Sequence, residues 1–149
     1  MHFHAYSYRG SGEAIKSFDS GARSPGGPDF ASSVVPPEAT NAWLAKPTRM
    51  LRGTFDDPAG AVEWLRAQHA EVEPSIWHKE LNTQAPSVDT MAETAADTLA
   101  RGNDVVWAWW LIGGNFVDLT VVCCPNRDGD HRCPQGRTDR RPAGVSAHV

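Results

Sequence analysis

The residues whose types and spacing first invite chemistry are thiols and imidazoles. Cys123 and Cys124 are followed by His131 and Cys133, so three cysteines and a histidine fall within one stretch of eleven residues. Soft sulfur and imidazole donors suit zinc, and a closed structural site needs four of them. Two features oppose a zinc site here. The spacing fits no common ribbon or finger, and adjacent cysteines at the end of a strand point to opposite faces. Asp128 and Asp130 add carboxylates, but without the glycine and closing glutamate that a calcium loop requires. The simpler expectation is one cysteine buried as a small hydrophobe and no resident cofactor. Zinc held by Cys123, Cys124, His131 and Cys133 is the competing expectation.

A second pair, His2-x-His4, places two imidazoles on one side of an extended segment. Residues 2–7, His-Phe-His-Ala-Tyr-Ser, resemble the opening metal motif of the PHP phosphoesterase family. The later His and Asp motifs of such an enzyme are missing, and the chain is short for that fold, so the assignment is rejected. The expectation for this pair is a partly exposed terminal strand. His69 falls on an apolar helical stripe and reads as a half-buried structural histidine. No Gly-rich phosphate loop and no Gly-x-Ser-x-Gly elbow is present.

A third group is aromatic. Val105–Ile112 and Asn115–Cys124 flank Gly113-Gly114, and a two-residue diglycine link predicts a tight hairpin. With Ile112 facing Asn115, one face holds Val106, Ala108 and Trp110 with Val117, Leu119 and Val121, and should meet the helices. The other holds Val105, Trp107, Trp109 and Leu111 with Phe116, Asp118, Thr120 and Val122. Trp107 and Trp109 could then stack on a flat ligand that Asp118 orients, with Leu111 and Phe116 completing the surface. If the chain is an enzyme, His78 and Glu80 on a neighbouring strand join Asp118 as acid–base groups. A one-residue error in the turn would exchange these faces.

The elements that must position these groups are read from capping and periodicity. Asp56-Asp57-Pro58 opens a helix that runs to about residue 72, with Val62, Leu65, His69 and Val72 on one stripe. Thr90-x-x-Glu93 or Ser87 caps a second helix over about 88–101, closed by Gly102. Strands are expected at 2–8, 49–55, 76–81, 105–112 and 115–124, and short helical pieces at 13–18 and 38–45. Residues 20–48 form a long loop rich in Pro, Gly and Ser. The expected fold is a single α+β domain over residues 1–124: a small, mainly antiparallel sheet with two main helices on one face. The other face should be covered by residues 20–48 or by a second copy. Residues 125–149 are polar and Arg-containing, and are expected to be disordered.

Composition narrows the function. The 149 residues carry a formal net charge of −4, with only 27 Leu, Ile, Val and Phe but six Trp. Residues 49–124 hold eleven acidic against five basic side chains, which disfavours nucleic acid. No apolar run reaches the ~20 residues of a membrane helix, so no membrane partner is expected. Eleven Arg and nineteen Ala beside three Lys suggest a GC-rich bacterial genome. The first residues lack the pattern of a secretory signal, so a cytoplasmic protein with free thiols is expected. The leading expectation is a binding or regulatory module that meets a protein partner or a second copy through the Trp-rich face. The alternatives are a small enzyme acting on a flat small molecule over that face, and a Cys/His metal-binding protein.

Overall fold

The first and last strands among the described residues lie side by side. In the computed structural model, which describes residues 1–17, 20–77 and 84–138, β1 (His2–Ser11) pairs antiparallel with β4 (Asn115–Cys124) over its whole length. His2 stands opposite Cys124 at one end and Ser11 opposite Asn115 at the other. β2 (Gly53–Phe55) flanks β1 and β3 (Val105–Trp110) flanks β4, which gives the antiparallel order β2-β1-β4-β3. The expected strand at 49–55 is shorter, because Thr48–Met50 after Pro47 wind into a 3-10 turn. Of the expected strand at 76–81, Ile76 bridges to Leu111, and residues 78–81 lie outside the described residues.

The two main helices cover one face of this sheet, so the fold is α+β. Between β1 and β2 run the short α1 (Gly12–Lys16) and α2 (Ser20–Arg23). α3 (Pro58–Val72) begins where Asp57 Oδ1 accepts from Gly60 N at 2.8 Å, with Pro58 in the first turn, where it forfeits no hydrogen bond. α4 (Val88–Ala100) is capped by Ser87, whose Oγ accepts from Thr90 N at 3.1 Å. Gly102, at φ +80°, turns the chain out of α4. Ala61, Leu65, Ala95 and Leu99 pack against Phe3, Ala5, Leu119, Val121 and Cys123 in the main core.

Residues 20–48 cover part of the opposite face, over Tyr6, Val122 and Cys124, while Val106 and Trp110 of β3 stay exposed there. A 3-10 turn over Thr40–Ala45 brings Trp43 and Leu44 onto Tyr6, Val122 and Cys124. Trp43 stacks on Tyr6 with ring centroids 5.0 Å apart. Lys46 anchors the loop from within: its buried ammonium donates to Phe30 O and Ser33 O, both at 2.7 Å, and lies over the Phe30 ring. Burial lowers its pKa to about 8.

The hairpin forms, but its register corrects the expected faces. Trp107 pairs with Leu119 and Trp109 with Val117, while Leu111 N donates to Asn115 O at 2.8 Å. The connection is therefore Ile112-Gly113-Gly114, three residues long, with both glycines at positive φ. A tertiary contact accounts for the extra residue: Ile112 N donates to Ser75 O, so its amide is committed away from β4. The one-residue slip exchanges the two faces of β3 and leaves those of β4 as expected. Val105, Trp107, Trp109 and Leu111 lie on the helix side with Val117, Leu119 and Val121, where His69 meets both indoles edge-on or tilted. Val106, Ala108, Trp110, Phe116, Asp118 and Thr120 lie on the other.

Residues 125–138, expected to stand apart from the domain, pack onto it. Buried Asn126 donates to Asp104 Oδ1 at 3.0 Å and to Cys123 O at 3.1 Å, and accepts from Asp128 N at 2.9 Å. Thr48 Oγ1 donates to Pro134 O and Arg137 pairs with Asp56. The anchors are polar, which is why a scarcity of apolar residues concealed them.

Candidate metal centre

Strand geometry assembles the site. Residues two apart on a strand share a face, so His2 and His4 project to the same side of β1. Register places Cys124, the last residue of β4, directly opposite His2, and Thr54 of β2 directly opposite His4. The segment after β4 then folds back and brings in Cys133. One donor atom from each of His2, His4, Cys124 and Cys133 lies within 4.8 Å of every other. His2 Nε2 is 2.9 Å from His4 Nε2, and Cys133 Sγ is 3.4 Å and 3.5 Å from these two nitrogens. Both histidines are fully buried, which corrects the expectation of a partly exposed terminal strand, and Cys124 is 2% exposed. Only Cys133 is half-buried.

The surroundings orient the donors. His4 Nδ1 is 2.9 Å from Thr54 Oγ1. When that nitrogen donates to the hydroxyl, the lone pair is left on Nε2, facing His2 and the two sulfurs. Two imidazole nitrogens 2.9 Å apart need a shared proton or a shared cation between them. Tyr6 comes next on the same face. Burial above all, then the charges of Cys124 and Cys133, raise the pKa of its phenol, so it keeps its proton. Its Oη is the one buried side-chain polar atom among the described residues with no hydrogen-bond partner.

Comparison with family models, curated proteins and solved structures found no significant match to this chain. The site therefore rests on its own chemistry. Two imidazoles and two thiolates could hold a metal ion, and the donor set fits zinc. Zinc–nitrogen bonds of about 2.0–2.1 Å and zinc–sulfur bonds of about 2.3 Å at tetrahedral angles imply donor separations of roughly 3.3–3.8 Å. The nitrogen–sulfur distances of 3.4 and 3.5 Å match, whereas the two nitrogens at 2.9 Å stand closer and would move apart around the ion. Charge fits as well: two thiolates offset a divalent cation, so the buried centre carries no net charge. With no carboxylate among the four, the set does not suit magnesium or calcium.

The other site residues expected from sequence fall elsewhere. Cys123 points into the helix-side core, donates through Sγ to Asn103 O at 3.3 Å, and is held protonated chiefly by burial and by Asp104. His131 is not one of the four donors, but lines a surface cavity of about 340 Å³ with Cys124, Cys133, Arg132 and Arg137. Trp107 and Leu111 are buried against the helices, so the Trp107/Trp109/Asp118 surface does not form. Asp118 instead accepts from Thr120 Oγ1 on the opposite face, where Phe116 meets Trp110. Burial raises its pKa against the opposing effects of Thr120 and Arg23. His78 and Glu80 lie outside the described residues.

Reading from sequence missed the joining of His2 and His4 to two of the three cysteines. The signal was present in halves: histidines alternating on the first strand, and a cysteine ending the last. What links them is the pairing of β1 with β4.

Proposed function

We propose that this chain is a zinc-binding α+β domain in which the metal, held by His2, His4, Cys124 and Cys133, fastens the segment after β4 to the open end of the sheet. One observation carries the reading: four zinc-type donor atoms from three separate stretches of chain converge within 4.8 Å, three of them on buried side chains. Four protein ligands make a closed site, the kind whose binding energy goes into structure. The test is metal analysis of the chain purified without an affinity tag, beside His4→Ala. One zinc per chain, lost in the variant, is expected. A well-folded chain that neither carries nor takes up zinc would overturn the reading.

A second reading, self-association or protein binding, is supported at another place than first expected. Trp77, Trp110 and Ile112 are 57%, 37% and 63% exposed around the hairpin turn. Trp77 and Trp110 line a cavity of about 580 Å³ with Glu13 and Lys16. Exposed aromatic side chains beside a cavity favour contact with a partner. Sedimentation of Trp110→Ala tests this reading, which requires a shift toward monomer.

A further inference from the structure

We propose that Cys133 is an oxidation site, and that a peroxide joins it to Cys124 as a disulfide and so expels the metal. The inference rests on the zinc reading and adds to it a chemical response of the same centre.

Access to the four donors is one-sided. His2 and His4 are fully enclosed, whereas Cys133 is half-buried. Cys133 and Cys124 both line the surface cavity that His131, Arg132 and Arg137 surround. A small oxidant arriving through that cavity therefore meets the sulfurs of the centre and not the imidazoles of His2 and His4. Metal-bound cysteines are thiolates, the nucleophilic form. Cys133 Sγ attacks one peroxide oxygen, the O–O bond breaks, and the leaving hydroxide takes a proton from solvent to become water. The Cys133 sulfenic acid that results is attacked by Cys124 Sγ. The S–O bond breaks, a second proton from solvent completes another water, and the S–S bond forms. Two thiolates lose two electrons, and hydrogen peroxide gains them.

The distances permit this pairing. The sulfurs lie within 4.8 Å of one another, and a disulfide needs about 2.05 Å. Cys133 sits in irregular chain that can make up the difference, while Cys124 is held in β4. Cys123, although adjacent to Cys124 in sequence, faces the opposite side of the sheet and is enclosed in the main core. The oxidised centre keeps two of four ligands, both histidines, and a neutral pair of imidazoles no longer offsets the cation's charge.

The experiment treats the zinc-loaded chain with hydrogen peroxide and follows zinc with a chromogenic chelator, free thiols by titration and the new bond by peptide mapping. Expected are release of one zinc per chain, a fall from three free thiols to one, and a Cys124–Cys133 crosslink that a dithiol reductant reverses. Cys123→Ala should release zinc in the same way, with its two thiols both lost. Zinc retained while the thiols stay free, or sulfur oxidised without that crosslink, would overturn the proposal and leave the zinc reading intact. A chain that takes up no zinc before peroxide is added would overturn both.

Discussion

Removing the metal should release one segment and spare the rest. The segment after Asn126 is tied down by bonds such as the exposed Arg137–Asp56 pair and the exposed Thr48–Pro134 hydrogen bond. The first contributes about 0–1 kcal/mol and the second about 0.5–1.5 kcal/mol. Together these amount to about 0.5–2.5 kcal/mol, so roughly one molecule in three to one in seventy has residues 127–138 open at any moment. Zinc at a thousandfold over its dissociation constant adds about 4 kcal/mol by linkage, lowering the open population by about a thousandfold. Hydrogen exchange read by mass spectrometry, with zinc and then with chelator, measures the difference. Peptides spanning 127–138 should lose protection on chelation. Peptides from β4 over 117–123, held by the main core and by pairing on both sides, should keep theirs. Equal exchange at 127–138 in both conditions would refute the claim that metal fastens this segment.

Three further outcomes are expected. Thr54→Val removes the partner of His4 Nδ1 without touching a donor atom, so zinc affinity should fall about 10–100-fold in chelator competition while the fold is kept. Asp118→Asn should stabilise the chain near neutral pH, because burial disfavours the carboxylate there. A raised folded-state pKa means that the contribution of Asp118 is present below the ordinary value of 3.8 and lost as pH rises through the folded pKa. The advantage of the variant in urea midpoint should therefore shrink on acidification. Trp107→Ala, at a buried indole on the helix side, should cost about 3–5 kcal/mol in denaturant unfolding. Trp110→Ala, exposed on the opposite face, should cost markedly less. The reverse order would contradict the hairpin register.

Local chemistry was enough to determine the two main helices and the strands that begin at residues 2, 105 and 115, but not the extent of the strand expected at 49–55. Asp57 and Ser87 cap their helices because a short oxygen side chain satisfies an amide that the first turn leaves free. Gly102 ends α4 because it alone pays no steric cost at positive φ. Alternation placed His2 and His4 on one face and set Cys123 against Cys124, since side chains on a strand repeat every two residues. The α+β class follows from those elements. What the tertiary structure decided was adjacency and register. The pairing of β1 with β4 joins residues more than a hundred positions apart in sequence, such as His2 and Cys124, and no local pattern encodes which strand lies beside which. The turn took a third residue because Ser75, far away in sequence, claims the amide of Ile112. With that register Trp107 and Trp109 turn toward the helices, while Asp118 stays on the face away from them, as expected, and so parts from the indoles. The candidate centre is likewise non-local: its donors come from residues 2, 4, 124 and 133, and only folding makes them neighbours.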